Sequence, residues 1–387
     1  MNIEQVNKSL CTGCGACKEV CPFKAIDLKF NKEGFLEPVI NRKKCIDCGL
    51  CYSVCLCTEH NDVTNPVQRV FAVKHKENAV RKKSQSGGAF MALAEYILSI
   101  GGYVYGAALD KEFKTRHICV DNVDDLKHLQ GTKYVQSELG DTFGEIIYKL
   151  SQNKTVLFTG LPCQVCGLKK LIKAKKINDE KLYTCDLICF GVPSPKIFEE
   201  WLNLLKKTYK AHLTEVRFRD VDDAWGKGTE KYIFDSGLVK KGSCYTELYF
   251  NHLIDRTSCS NCNFSSMERA GDITIGDFWG IEEFLPEFTD DKGVSAILVN
   301  NDKGSKLFSE SAGNMLFIES TKEAVTKEQS RLQGQTYKYN KNRKVFWNKY
   351  RRFGLKFIMQ EREYIPIDTS YKILRRVNSV INKLFNQ

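Results

Sequence analysis

CTGCGACKEVCP, residues 11 to 22, places cysteines at 11, 14, 17 and 21 ahead of Pro22, and CIDCGLCYSVC, residues 45 to 55, repeats the spacing at 45, 48, 51 and 55. Three cysteines two residues apart can wrap a cubane iron-sulfur cluster from one tight loop, while the fourth cysteine of such a run ligates the other cluster. The spacing therefore predicts two 4Fe-4S clusters, one on Cys11, Cys14, Cys17 and Cys55 and the other on Cys45, Cys48, Cys51 and Cys21. Gly13, Gly15 and Gly49 let loop amides approach the sulfurs, where they stabilise the cluster's negative charge. C-x2-C pairs also occur in zinc ribbons. Two complete runs with the x3 step favour iron and sulfide.

Residues 1 to about 60 resemble two-cluster bacterial ferredoxins. Leu56 stands where a proline would mirror Pro22, and Cys57, outside the pattern, reads as a packed thiol. With 387 residues, 42% hydrophobic and 27% charged, the chain has room for two or three globular domains. It has no run of eighteen uncharged apolar residues, and AFMALAEYILSI (89 to 100) carries Glu95 and reads as an amphipathic helix. The start, MNIEQVNKSL, has neither the basic nor the apolar region of a signal peptide, so the expected location is the reducing cytoplasm. Disulfides are not expected there. Of the seventeen cysteines, nine lie between 11 and 57 and four between 163 and 189, a clustering that argues for metal ligation.

After a polar linker, HNDVTNPVQ at about 60 to 68, apolar strands alternate with amphipathic stretches. Strands are expected at 103–109, 116–120, 155–159, 181–189, 215–219, 231–235, 272–276 and 294–300, and helices at 87–100, 141–152, 162–175 and 195–208. This alternation predicts a mixed sheet with helical layers. No G-x-G-x-x-G follows any of these strands and no G-x-x-x-x-G-K-[ST] occurs, so a nucleotide would have to be held in another way.

GLPCQVC (160 to 166) reads as the end of a strand, a turn, and a helix opened by Pro162. Cys163 then sits in the first turn, where free amides and the helix dipole favour a thiolate, and Cys166 lies one turn deeper. Alone, the pair can be a dithiol, a packed pair or a ligand. Cys189 closes the strand ending LIC, and RTSCSNC supplies Cys259 and Cys262. Ligands in open α/β sheets gather at the carboxyl ends of strands, where Cys163 and Cys189 would lie. Cys185, four residues up the strand and roughly 13 Å from Cys189, is too far to share a site with it. Cys163, Cys189, Cys259 and Cys262 are therefore candidates for a third 4Fe-4S cluster.

SQSGGAF (84–90), GTKYVQS (131–137), TGLPCQVCGL (159–168), CFGVPSP (189–195) and CSNCNFSSMERAGDITIGDFWG (259–280) together resemble the family of beta subunits of coenzyme F-420 (deazaflavin) hydrogenases and dehydrogenases, over about 68 to 310. The resemblance implies an FAD beside a 4Fe-4S cluster. Carried over by motif, the flavin is expected among Ser86, Gly87, Gly88, Lys133, Tyr134, Gln136, Ser137, Thr159, Gly160 and Gln164. Ser-Gly-Gly opening a helix suits a phosphate, and Lys133 can add charge to a diphosphate; an ordinary cap and a solvated cation are the plainer readings. In GDITIGDFWG, Asp272 and Asp277 are turn residues and Trp279 core, or the turn faces the flavin or cluster. Phe190 stands where related sequences often have His, so no proton-transfer role is assigned there.

Residues 321 to 387 carry sixteen Lys and Arg against five Asp and Glu, an excess equal to the +11 net charge of the chain. NRKVFWNKYRRFGLKF (342–357) interleaves aromatics with cations, but no nucleic-acid fold signature accompanies it, and nucleic acid is not expected as a partner. YKILRRVNSVINKLFNQ (371–387) reads as a basic amphipathic helix suited to its own domain, a partner's groove or an anionic membrane surface.

The expected architecture is α+β: a two-cluster 4Fe-4S ferredoxin domain (1–65), a mixed α/β flavin and iron-sulfur domain (66–320) and a basic helical tail (321–387). The expected activity is that of an oxidoreductase with FAD and three 4Fe-4S clusters. It passes electrons between a two-electron organic partner, a deazaflavin or another reducible substrate, and a redox protein or small one-electron carrier. The alternative is an electron-relay subunit with no substrate chemistry of its own.

Overall fold

The computed structural model describes residues 1–58, 63–220, 222–337 and 340–376. An eight-stranded mixed sheet forms its centre, in the order Met315–Ser320, Arg69–His75, Ser295–Val299, Ile273–Asp277, Leu182–Leu187, Val156–Gly160, Tyr103–Leu109, Thr115–Val120. The four strands starting at Ile273, Leu182, Val156 and Tyr103 run parallel; the other neighbours pair antiparallel. All five residues of Val156–Gly160 are buried, which is why this central strand reads as a continuous apolar run rather than an alternation. Helices Ala89–Ser99 and Asp302–Ser311 cover one face, packing Leu93, Ile97 and Leu307 on the sheet. Helices Thr142–Ser151 and Pro162–Ala174 cover the other with Phe143, Ile146, Val165 and Leu168.

The strands expected between residues 103 and 300 are present, as are the four expected helices. Arg69–His75 and Met315–Ser320 are two further strands of the same sheet. The segment expected to be a strand at 215–219 pairs instead over Leu213–Arg217, in a separate antiparallel sheet with Glu230–Phe234 and Val239–Gly242. That small sheet and helix Pro195–Tyr209 enclose a second core around Trp201, Phe218, Tyr232 and Tyr245. Trp201 Nε1 donates to the Tyr232 hydroxyl at 2.8 Å, satisfying a polar atom the core would otherwise strand.

The C-terminal helix Arg343–Glu361, bent at Gly354, adds Phe346, Trp347, Tyr350 and Ile358 to this second core while Lys344, Arg351, Arg352 and Lys356 stay exposed. Its aromatics are thus packing residues and its cations a solvated face. Of the amphipathic segment 371–387, Tyr371 is buried against Phe357 with ring centroids 5.1 Å apart, and residues 377 onward lie outside the described residues.

At the N-terminus each cysteine loop leads into a short helix, Ala16–Val20 and Leu50–Ser53, and the hairpin Ile26–Phe30 with Leu36–Ile40 lies between the two repeats. Ala16, Cys17 and Val20 share a core with Phe143, Val165 and Leu168 of the large sheet's helices. The end of the expected linker is structured: Asn65–Pro66 pairs with Glu268–Arg269, next to the second C-x2-C loop. Residues 59–62 lie outside the described residues.

Candidate functional site

The sheet brings the carboxyl ends of its parallel strands to one edge. There the Val156 strand ends at Gly160, and Pro162 opens the next helix; Gln164 Oε1 accepts from the Leu161 amide at 2.9 Å, which fixes the first turn carrying Cys163. Cys189 follows the neighbouring Leu182 strand, while Cys259 and Cys262 come from the turn at Thr257–Asn261 and the residue after it. All four line one cavity of about 170 Å3. Burial pushes the Cys163 thiol well above its usual range, and the charges of Cys189, Cys262, Cys259 and Cys14 push it further. Cys166 is fully buried in the helix's core and Cys185 fully buried in its strand; neither lines the cavity.

Cys11, Cys14, Cys17 and Cys55 form a second convergence. Burial raises the Cys14 thiol to about 11, and Cys11 and Cys55 are close enough to raise it as well. Cys17 responds to Cys14, Cys11 and Cys55 and also to Cys51 of the other set. Cys55 thus lies beside the first loop, where the spacing expects it. Cys57 sits between the sets, its Sγ 3.1 Å from the Leu10 carbonyl. In the remaining set Cys21 and Cys45 are half-buried and Cys48 is exposed. The two convergences touch: a Cβ on Gly167, one turn past Cys163, would lie 3.0 Å from Cys14 Sγ, so glycine lets the first loop settle closely on this helix. Among the described residues no three His, Cys, Asp or Glu gather tightly enough for a single ion. A cubane, with each thiolate on a separate iron, calls for a wider cage.

Among the described residues six lysines and arginines are buried: Lys74, Arg81, Lys170, Arg256, Arg269 and Arg331. Lys74 and Arg81 pair with Asp290, and Arg269 pairs with Asp186 at 3.1 Å. Lys170, Arg256 and Arg331 have no carboxylate partner among the described residues. Arg256 donates to the Cys11 carbonyl, the Leu36 carbonyl and Gln136 Oε1; Arg331 donates to the Phe190 carbonyl and Ser265 Oγ; Lys170 donates to the Cys55 carbonyl. Buried charges are ordinarily paired, because desolvation of an isolated one costs several kcal/mol. All three unpaired cations stand at the cysteine sets, Arg256 and Arg331 in the wall of the 170 Å3 cavity and Lys170 at Cys55. Anionic clusters bound by thiolates fit this surplus of positive charge.

The residues expected at the flavin follow the same edge in linked pairs. Gln164 Nε2 donates to Ser137 Oγ at 3.2 Å, Gln136 Nε2 donates to the Thr12 carbonyl at 2.9 Å, and Thr159 Oγ1 donates to the Tyr105 carbonyl at 2.8 Å. Ser86 Oγ lies 3.1 Å from Ser295 Oγ, and Gly88, φ +87°, caps the helix Ala89–Ser99. Gly87 is pressed against the sheet: a Cβ there would meet the Val73 carbonyl at 2.2 Å. Lys133 Nζ donates to the Leu129 and Gln130 carbonyls at 2.9 and 2.8 Å, capping a short helix end. Tyr134 packs among Phe218, Tyr249 and Phe250. Two clefts open here, one of about 480 Å3 lined by Gln136, Ser137 and the N-terminal hairpin, the other of about 410 Å3 lined by Gln85, Arg219 and Trp225. Two buried polar atoms, Thr115 Oγ1 and His117 Nδ1, have no hydrogen-bond partner among the described residues, while His117 Nε2 donates to the Thr159 carbonyl at 3.0 Å. Unmet hydrogen-bonding capacity beside Thr159 fits a polar ligand.

In the GDITIGDFWG turn, Asp272 accepts from the Thr184 amide and hydroxyl at 2.8 and 2.7 Å, and Asp277 pairs with Arg219 at 2.8 Å. Trp279 stacks on Trp225, centroids 4.6 Å apart.

Family models for the coenzyme F420 hydrogenase/dehydrogenase, beta subunit, match residues 70–142 (N-terminal part) and 153–323 (C-terminal part), and a 4Fe-4S dicluster domain matches residues 10–58. The chain belongs to the family of coenzyme F420 hydrogenase/dehydrogenase beta subunits. It is 26% identical over 220 residues to the F420-dependent formate dehydrogenase 1 subunit beta of Methanococcus maripaludis, covering 55% of this chain and 52% of that protein. It is 24% identical over 198 residues to a subunit of the F(420)H(2) dehydrogenase of Methanosarcina mazei, covering 48% of this chain and 55% of that protein. The chain thus spans about half the length of these relatives. A chain of the F420-reducing [NiFe] hydrogenase complex from Methanosarcina barkeri superposes with a TM-score of 0.49 at 18% identity, over 77% of this chain and 97% of that one. Among the described residues no helix is long and apolar enough to cross a membrane.

Family motifs and cysteine spacing both pass over Arg256, Arg331 and Lys170. Arg256 opens the RTSCSNC segment, and its position three residues before Cys259 was the available signal. Arg331 lies far from every cysteine in sequence and carries no such mark.

Proposed function

We propose that this member of the family is an iron-sulfur flavoprotein that exchanges electrons between a two-electron organic partner and a one-electron carrier through three 4Fe-4S clusters. The observation that supports it best is the convergence of Cys163, Cys189, Cys259 and Cys262, brought from three separate segments to one cavity walled by two buried, carboxylate-free arginines. A bound FAD would supply the change from paired to single electron transfer. The chain's own residues would hold it along the carboxyl edge, with Thr159, Ser137 and Gln164 beside the cluster helix and the Ser86–Gly88 turn at the far side. The deazaflavin named for the relatives is the first candidate for the organic partner.

The relay order follows from adjacency. Cys163 neighbours Cys14, Cys17 neighbours Cys51, and Cys48 is exposed, so electrons pass from the edge through the Cys11 set to the Cys21 set and leave at Cys48. The reverse direction uses the same path.

That both relatives are subunits of larger enzymes favours a second reading, a relay component without its own flavin. Cofactor analysis of anaerobically purified protein separates them. The first reading expects about twelve irons with matching sulfide and one releasable flavin. Iron and sulfide without flavin leaves the relay, and stoichiometric zinc without iron overturns both.

A further inference from the structure

Arg256 occupies a position that no single cluster explains. Its guanidinium reaches the first cysteine loop, with Nε 2.6 Å from the Cys11 carbonyl and Nη2 3.6 Å from Cys11 Sγ, yet the same side chain lines the cavity of Cys163, Cys189, Cys259 and Cys262. Its other acceptors, Leu36 O and Gln136 Oε1, are neutral, and it is 3% exposed. The first loop is shaped to admit it: Gly13 has φ +70°, and a Cβ there would lie 2.7 Å from Arg256 Nη1. Lys170 and Arg331, by contrast, each stand at one set, beside Cys55 and Cys189.

We propose that Arg256 is the shared counter-cation of two neighbouring clusters and raises both of their reduction potentials together. This rests on the three-cluster reading above. Reduction adds one electron to a cluster and makes it more negative by one charge, with no bond made or broken. A fixed positive charge a few ångströms away in a medium of low dielectric therefore stabilises the reduced form more than the oxidised one. Because Arg256 binds the first cysteine loop through its guanidinium and also lines the neighbouring cavity, its charge is expected to act on both couples. The cluster on Cys21, Cys45, Cys48 and Cys51, none of which Arg256 contacts, is left at its own potential. The expected result is two potentials raised together at the buried end of the relay and an independent one at the exposed end. Arg256 acts through the clusters and is a positioning residue, not a catalytic one.

The test is a redox titration followed by electron paramagnetic resonance on the full-length holoprotein, comparing wild type, Arg256→Gln and Arg256→Lys. Signals are assigned with Cys163→Ala and Cys48→Ala, each expected to remove one cluster. Arg256→Gln is expected to disfavour reduction of both inner clusters at least tenfold, equivalent to 59 mV for a one-electron couple, and to leave the outer cluster unmoved. Arg256→Lys keeps the charge and is expected to hold both inner potentials near wild type. Unchanged inner potentials in Arg256→Gln with iron retained would overturn the proposal, as would an equal shift of all three clusters. If Arg256→Gln loses iron, Arg256→Lys decides alone: a tenfold shift of the inner pair with full iron content refutes a role for charge. Wild-type protein with fewer than three clusters refutes the underlying reading, a result obtained before any variant is made.

Discussion

Replacing Asp186 by alanine should detach the second C-x2-C loop from the sheet. Asp186 is fully buried at the end of the Leu182 strand. One oxygen accepts from Arg269 Nη2 at 3.1 Å, and the other from the Ala270 and Gly271 amides at 3.0 Å each. Arg269, 1% exposed, also donates to the Phe264 carbonyl at 2.7 Å and the Leu187 carbonyl at 2.9 Å, so it ties the segment after Cys262 to the strand before Cys189. Asp186→Ala removes a buried carboxylate and leaves the guanidinium enclosed and uncompensated. Breaking a buried pair in this way costs about 3–5 kcal/mol. For a chain of this size the corresponding loss in Tm is about 5 °C. Thermal unfolding under anaerobic conditions, with iron measured before heating, provides the check. Iron should fall from about twelve to about eight, because the loop holding Cys259 and Cys262 no longer seats. Asp186→Asn keeps an acceptor oxygen without the charge and should recover only part of the loss. A variant with full iron and less than about 1 kcal/mol of destabilisation would refute the assignment of this pair as the anchor of the site.

Cys163→Ala should lose one cluster, leaving about eight irons with the two N-terminal clusters intact, whereas Cys166→Ala should keep all iron and lose roughly 1 kcal/mol as a core truncation; equal iron loss in both, read by iron assay and paramagnetic spectra, would point to a dithiol. Burial holds the His117 imidazole down at about 4, against an ordinary value of 6.5, so the unfolded chain binds the proton more readily. The resulting contribution is fully present above pH 6.5 and is lost as pH falls toward 4, roughly 3 kcal/mol across the window. Urea midpoints measured against pH should show this slope in wild type and not in His117→Gln, and identical slopes would sink it.

How much of this was legible depended on whether the information was local. The two ferredoxin runs are local, and the placement of Cys55 beside the first loop follows from their spacing. The central strands announced themselves through short apolar runs between helix signals. Arg69–His75 was harder to read: its sequence, RVFAVKH, is a four-residue apolar run with charged ends, which periodicity cannot distinguish from a helix turn, and its partners begin more than two hundred residues later, at Ser295 and Met315. The C-terminal aromatics could be read as a face, but not as the lid of the core around Trp201, because that pairing is tertiary. The unpaired cations were invisible for a different reason. A buried arginine is normally inferred from its acidic partner, and the partner that Arg256 and Arg331 fit is not encoded as a residue.

That missing partner bears on how the N-terminal module is used. A ferredoxin tethered by a flexible linker would meet its donor by diffusion, and its contacts with the larger domain would be few and polar. Here the module is fixed around its first cysteine loop. Gln136 donates to the Thr12 carbonyl, Arg256 to the Cys11 carbonyl, Ser194 Oγ to the Glu33 carbonyl at 2.5 Å, and Arg343 pairs with Glu33. Gly167 brings helix and loop into contact at Cys14. Two of these contacts hold the first cysteine loop and two hold the tip of the hairpin that follows it, while Cys48 of the other loop is exposed. Under the relay proposed above, the inner gap would be set by packing and the outer one by encounter with a partner. An arrangement that rigid at one end and open at the other suits a fixed wire into the protein, with exchange confined to its exposed terminus.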